Sequence, residues 1–320
     1  MKFGVVDFHC DVLYKLQLDS KIRFADAPGL DASARMLRAG EVQLQCFAIF
    51  LDESLGQPRI GQVLEQISLY RSEVETNGYG LITNQEELSR LRASGRQGAL
   101  LSLEGADGLE GNFHYLRSCY DLGVRFLGIT WNYANWAADG ALEVRNGGFT
   151  NQGRKLVATC HELGIVLDAS HLSEKAFWEL AEMAQAAGKP FIASHSNCYS
   201  VCPHPRNLKD DQIRAIVKLG GRIGLTFVPY FVKSTGHVKL TDLLAHIEHF
   251  CLLGAEECLM FGSDFDGIEV HIKDLENAGQ YPALKEMLLQ HYSETLVEKW
   301  MSGNALRFLE TELPPARKAL

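Results

Sequence analysis

The run Val5-Val6-Asp7-Phe8-His9-Cys10-Asp11 decides how the rest of the chain is read. Val5 and Val6 are β-branched and mark the end of a buried strand. His9 and Asp11 follow at i and i+2. On an extended backbone that spacing puts both side chains on one face and turns Cys10 away. An imidazole and a carboxylate at a strand mouth can hold a divalent metal. Two ligands do not complete a site, and a lone His-x-Asp serves equally well to hydrogen-bond a loop. Further acids and histidines at other strand ends would separate the two readings.

Strand ends recur along the chain. The pattern predicts strands over 42–50, 99–103, 124–130, 165–168, 191–194, 222–227 and 259–262. Helices are expected over 57–76, 111–121, 150–162, 173–186, 209–218, 240–253, 282–291 and 293–309, where apolar residues recur at helical spacing. Eight strands alternating with helices imply an α/β fold with parallel strands. A closed (β/α)8 TIM-like barrel of the metal-dependent hydrolase type is the natural reading, with a doubly wound open sheet as the alternative. A chain of 320 residues fits one such barrel with insertions. With no repeat or Pro/Ser-rich linker, we expect a single catalytic domain over 1–310 and a loose tail over 311–320. The loops 131–149 and 267–281 follow strands, which places them on the catalytic face of a barrel.

Polar residues now collect where a barrel puts its chemistry. His9 and Asp11 follow strand one, Glu104 strand three, His171 strand five, His195 strand six and Asp264 strand eight. Singly, each could cap a turn or a helix; together they describe one site. Imidazole with carboxylate suits zinc, and also manganese, cobalt or iron. Five candidate ligands exceed the three that one catalytic zinc usually takes from protein. Two metals sharing a bridging carboxylate would use them all: Glu104 as the bridge, His9 and Asp11 on one metal, His171 and His195 on the other.

Composition narrows the partners. Hydrophobic residues at 46% and charged residues at 22% are those of a soluble globular protein. A net charge of -9 argues against nucleic acid as the main partner. No apolar run approaches the ~18 residues of a membrane span. Met1 leads almost at once into the first strand with no secretory signal features, so the expected location is the cytoplasm. The eight cysteines are scattered and are expected to be free, mostly buried thiols. Cys198 and Cys202 are weaker ligand candidates than the histidines beside them.

The chain resembles the membrane dipeptidase (renal dipeptidase) family of zinc peptidases in the amidohydrolase superfamily. The resemblance runs from Asp7 to about Leu309. It rests on Asp7-Phe8-His9-Cys10-Asp11, Leu103-Glu104-Gly105-Ala106, Asp168-Ala169-Ser170-His171-Leu172-Ser173, Ser194-His195-Ser196-Asn197, Pro205-Arg206-Asn207 and Gly262-Ser263-Asp264-Phe265-Asp266-Gly267. It implies the same barrel, two zinc ions and the same ligand assignment. It further implies that Arg206 grips the terminal carboxylate of a dipeptide substrate, as a planar guanidinium can. A metal-bridging hydroxide would attack the peptide carbonyl while Asp264 moves the protons. Asp266 would tie down its loop. Family members tolerate a D-residue at the C-terminal position, and the family suggests a homodimer.

One departure stands out. Where membrane-bound members carry a histidine after the Thr that ends strand four, this chain has Trp131 after Thr130, then Asn132. Trp131 offers only an N–H donor, so Trp131 and Asn132 are expected to line the substrate site in its place. Two other readings remain. One is an amidohydrolase for a lactone, cyclic amide or β-lactam; the other is a catalytically inactive barrel acting as a binding protein.

Overall fold

Phe8 shows how the first strand sits. In the computed structural model, which describes residues 4–316, β1 (Val5–Cys10) is buried along its whole length. Its Val6 and Phe8 join Leu44, Cys46, Leu100, Phe126, Val166, Ile192 and Met260 in one apolar cluster. Phe8 meets Phe126 edge to face at 5.4 Å. These residues come from successive strands, so the cluster is the interior of a barrel.

The other strands are β2 (Val42–Phe50), β3 (Tyr79–Leu81), β4 (Gln97–Glu104), β5 (Val124–Gly128), β6 (Val166–Asp168), β7 (Ile192–Ala193), β8 (Arg222–Leu225) and β9 (Leu259–Phe261). Their order is β2-β1-β9-β8-β7-β6-β5-β4-β3, and β2 also pairs with β4. That last pairing, from Leu44↔Gly98 to Phe50↔Glu104, closes an eight-stranded parallel barrel. All eight strands read from the sequence are its staves. The TIM-like barrel is therefore confirmed, and the open sheet is excluded.

The ninth strand was not expected. β3 pairs with β4 at Tyr79↔Gln97 through Leu81↔Ala99, and β5 takes the same edge of β4 from Leu101 to Glu104. β3 thus fills the lower part of a seam that β5 fills above. The helices Val12–Leu18, Ala34–Ala39 and Gln85–Ser94 were also not read from the sequence. The expected helix 57–76 is α-helical over Ile60–Leu69 and continues as a π-turn over Tyr70–Val74. Of the expected tail, Thr311 and Glu312 are helical and Leu313 is buried. The last helix runs over Asn304–Glu312. Ala305, Leu306, Phe308, Leu309 and Leu313 belong to the interior cluster and close the barrel opposite the site. Residues 317–320 of that tail lie outside the described residues.

Two local features aim the site. On β1, the step from Asp7 to Cys10 is matched on β2 by only Gln45 to Phe47. The extra residue is a bulge, which re-aims side chains near barrel rims. Without it, His9 would follow Val5 and Asp7 to the outer face. With it, Cys10 falls in the outer cluster beside Val5, and His9 and Asp11 turn to the barrel mouth. On the far side, a Cβ on Gly224 or Gly262 would stand 1.7 or 1.8 Å from the Ser194 carbonyl oxygen. Only glycine permits that approach, which fixes where His195 leaves the barrel.

Candidate metal centre and substrate cleft

Glu104 arrives by plain alternation. Leu100, Ser102 and Glu104 face inward along β4, and Glu104 is its last residue. Its two carboxylate oxygens face different partners. Oε2 lies 3.3 Å from His9 Nε2. Oε1 lies 2.9 Å from His171 Nε2 and 3.8 Å from His195 Nε2. His9 Nε2 is also 3.3 Å from Asp11 Oδ2 and 3.7 Å from Asp264 Oδ1. Thus all six residues expected at the mouth converge, with Glu104 between the His9–Asp11 pair and the His171–His195 pair. Two groups, His9–Glu104–His195 and His9–Asp11–Asp264, each bring three ligand atoms within 4.8 Å of one another.

Each imidazole of the second pair is held by its other nitrogen. His171 Nδ1 lies 2.9 Å from Asn132 Oδ1, which can only accept, so Nδ1 carries the proton. Ser194 Oγ donates to Asp168 Oδ2 and therefore accepts from His195 Nδ1 at 2.7 Å. Asp168 in turn accepts from the backbone N–H groups of Ser170 and Ser194, both at 2.9 Å. Both rings then present an Nε2 lone pair, and the two Nε2 atoms stand 2.8 Å apart. His171 itself sits in the left-handed region, at φ 70°. Its carbonyl is held by Ala141 N–H at 2.7 Å and Thr130 Oγ–H at 3.2 Å. The loop 131–149 thus orients this histidine through both its backbone and its ring.

The electrostatics favour a cation. Burial pushes the His171 imidazole down to about 3, helped by the Arg206 charge. Burial, then His9 and Arg206, holds His195 well below the usual imidazole range. Both are neutral and free to donate lone pairs. Burial works against charge on His9 too, but the Glu104 and Asp11 carboxylates outweigh it and raise His9 well above its ordinary value. Glu104 is held well below the carboxylate range: burial opposes this, but His9 and the His171 hydrogen bond prevail. Asp264 differs: burial first, then Asp11 and Glu104 against the pull of His9, pushes it up to about 7. His9 Nε2 and Asp11 Oδ1 are buried with no hydrogen-bond partner among the described residues. Lone pairs in mutual contact, two unpartnered ligand atoms and a cluster of acids are the donor set of a metal site.

Arg206 follows His195 by eleven residues, and its turn brings it back to the mouth. It is buried, and its Nη2 donates to His195 Nε2 at 2.8 Å. Burial pulls its pKa down to about 10, so it stays charged. A cleft of ≈ 730 Å³ lies over these groups, lined by Asp11, Glu104, Trp131, Asn132, His171, Arg206 and Asp264. Asp266 turns out of the cluster. It accepts from the N–H groups of Asp31 and Ala32, both at 2.9 Å, and pairs with Lys15 at 3.0 Å, so it ties down its loop as expected. All eight cysteines are free. Cys198 and Cys202 bond backbone carbonyls and lie away from the ligand cluster.

Several cleft residues were missed by the sequence reading. Tyr14 and Lys15 stand on the unexpected helix Val12–Leu18, His204 on the loop just before Pro205, and Tyr230 on the short helix Pro229–Val232. Among the described residues, no helix is long and apolar enough to cross a membrane.

Comparison with known proteins agrees with this geometry. The family model for membrane dipeptidase, peptidase family M19, matches residues 1–317. An uncharacterised Klebsiella pneumoniae protein encoded in the pqqA 5' region is 32% identical over 240 residues, covering 72% of this chain and 88% of its own. The crystal structure of dipeptidase AC, an M19 metallopeptidase, superposes with a TM-score of 0.89 at 26% identity over 98% of this chain and 99% of that one. A metallopeptidase from Rhodobacter sphaeroides, bound to a phosphinate mimic of the dipeptide L-Ala-D-Ala, gives 0.88 at 25% identity over 98% and 100%.

Proposed function

The chain belongs to the membrane dipeptidase family, the metallo-dipeptidases of peptidase family M19, and from that premise we propose that it hydrolyses dipeptides, including those ending in a D-residue, at a centre holding two zinc ions. The observation that carries the proposal is Glu104, whose oxygens reach the His9–Asp11 pair on one side and the His171–His195 pair on the other. In this reading Glu104 would be shared between two metals, one held by His9 and Asp11 and the other by His171 and His195. The Rhodobacter sphaeroides neighbour and its L-Ala-D-Ala mimic support the extension to D-residues.

Bound metal would supply a Lewis acid for the scissile carbonyl and lower the pKa of water. The chain's own residues do the rest. Arg206 grips the substrate's carboxylate with two parallel hydrogen bonds. Its Nε is buried without a partner among the described residues, and its Nη2, which now donates to His195 Nε2, would be free for the substrate where that lone pair holds a metal. Asp264 takes up a proton from the attacking water and returns it to the leaving amine. Trp131 walls the cleft beside Glu104.

Arg206→Met provides the test of substrate class. A dipeptide always ends in a carboxylate one residue from the reactive bond, so a fixed guanidinium measures length as well as charge. Its loss should cost about 2–5 kcal/mol, part of it from the carboxylate left unpaired. That is a fall in kcat/KM of roughly 30-fold to several thousand-fold. The variant is expected to lose the preference for a dipeptide over its amide while metal content stays constant. Kinetics on that matched pair decide it, and a variant that keeps the full preference refutes the role of Arg206.

Asn132 carries a second expectation. Expected to bind substrate, it lines the cleft and also gives its oxygen to His171 Nδ1. Groups that orient a metal-ligating histidine typically contribute on the order of 10–100-fold in metal affinity. Asn132→Ala should therefore weaken zinc binding by that factor in a chelator competition, and Asn132→Asp, which keeps an acceptor, should restore most of it. Unchanged affinity in Asn132→Ala would leave the contact without this role.

A further inference from the structure

Two buried aspartates, Asp7 in β1 and Asp168 at the end of β6, make the same hydrogen bonds atom for atom. The Oδ1 of Asp7 accepts from the N–H of His9, two residues on, at 3.3 Å and from the N–H of Ser263 at 2.9 Å. Its Oδ2 accepts from the Ser263 hydroxyl at 2.7 Å. The Oδ1 of Asp168 accepts from the N–H of Ser170, again two residues on, and from that of Ser194, both at 2.9 Å. Its Oδ2 accepts from the Ser194 hydroxyl. The register agrees as well. Asp7 pairs with Phe261 and Asp168 with Ile192, and in each case the serine stands two residues beyond the partner.

A buried carboxylate is costly unless hydrogen bonds replace its water, and three donors do so in each case. What these bonds hold is the ligand cluster. Each serine is followed at once by a cluster residue, Asp264 after Ser263 and His195 after Ser194. The Asp7–His9 bond spans the bulged step that turns His9 inward, and the Ser263 hydroxyl also reaches the His9 carbonyl at 3.0 Å. The Asp168–Ser170 bond closes the turn that leads into His171. In the sheet the order is β1-β9-β8-β7-β6, so the two Asp–Ser pairs run in opposite senses on either side of β8. Duplication of half a barrel would set them in the same sense, so a repeat of the chain does not account for the match.

We propose that Asp7 and Asp168 are paired positioning residues, each setting the metal affinity of one half of the centre: Asp7 for the His9–Asp11 half, Asp168 for the His171–His195 half. The proposal rests on the two-metal reading. The two residues act differently. Asp7 holds the mouths of two strands together through the His9 backbone and Ser263. Asp168 does this and also fixes a ring. Because the Ser194 hydroxyl donates to Asp168, its oxygen accepts from His195 Nδ1 and leaves Nε2 its lone pair. An amide at 168 that keeps its oxygen on the two backbone N–H groups aims an N–H at Ser194. The serine proton then goes to His195 Nδ1, which forces hydrogen onto Nε2. An amide at 7 has no such effect: its oxygen keeps both backbone N–H groups, and the Ser263 proton goes to the His9 carbonyl.

Zinc titration of the full chain against a competing chelator tests this and needs no substrate. The wild type is expected to bind two equivalents. Asp7→Ala and Asp168→Ala should each weaken one equivalent by about 10–100-fold, the usual effect of losing a group that orients a ligand, and the other by much less. The double variant should weaken both. Ser263→Ala and Ser194→Ala remove only a hydroxyl; they should weaken the same equivalents, and they decide the matter should an aspartate variant not fold. Asp7→Asn should recover most of the lost affinity, and Asp168→Asn should not. Unchanged affinity in the single variants, equal loss of both equivalents in each, or equal recovery in the two Asn variants overturns the proposal and leaves the dipeptidase reading standing. A wild type that binds fewer than two zinc ions overturns the two-metal reading along with it.

Discussion

In the proposed two-metal centre, replacing Glu104 with Gln is expected to remove one metal and to lower kcat/KM by roughly a thousandfold or more. A carboxylate can sit between two cations because it carries a charge for them to share; a neutral amide cannot, and its nitrogen presents hydrogens to one of them. Glu104 faces His9 with one oxygen and His171 with the other, so the substitution affects both halves of the centre. A metal acting as a Lewis acid contributes several kcal/mol to a transition state, and each ~1.36 kcal/mol is tenfold in rate. The side chain is almost fully enclosed, at 9% exposure, so solvent cannot replace the lost ligand. Metal analysis beside kinetics checks this. Two tightly held metals and normal turnover in Glu104→Gln would show that Glu104 is not the bridge.

Asp264→Asn is expected to leave the metal content of the proposed centre unchanged and to lower kcat by about 10²–10⁴-fold, the usual contribution of a general acid–base group. The substitution is conservative for the backbone. Asp264 sits at φ 69°, a region that Asn tolerates as well as Asp does. A Cβ on Gly267 would reach within 2.3 Å of Asp11 Oδ2 and 2.7 Å of Asp264 Oδ1, so the loop backbone lies close to both carboxylates. Raised to about 7 by burial and its acidic neighbours, Asp264 can both accept and return a proton near neutrality. The competing role is ligation, because Asp264 also lies with His9 and Asp11 in one candidate group. Loss of metal from Asp264→Asn would assign it to that role.

The barrel and the meeting of its polar strand-end residues were legible because both depend on short periods and strand ends. β4 alternates without interruption, so Glu104 could be placed from its own segment alone. His9 could not be placed with the same certainty. Only the bulge between Asp7 and Cys10 brings it inside, and that bulge is defined by β2, more than thirty residues away. β3 carries too little pattern to be read: three residues with a glycine at the centre, paired because β5 leaves the lower edge of β4 open. The last helix was cut short because nothing in residues 311–313 shows that Leu313 will be covered by the barrel floor. The Asn132–His171 bond was out of reach for the same reason. It joins two residues thirty-nine apart, through a loop whose course is set by contacts such as Ala141 with the His171 carbonyl.

Hydrolysis itself gives the most direct measurement. The full chain, loaded with zinc and checked for two equivalents by metal analysis, should be assayed on L-L, L-D and D-L dipeptides, with the amides of the best substrates and a lactone set beside them. We expect cleavage of dipeptides with a free C-terminal carboxylate, L-D among them, and little cleavage of their amides. A protein that holds two zinc ions and cuts lactones or amides but no free dipeptide would contradict a dipeptidase built on Glu104 and Arg206.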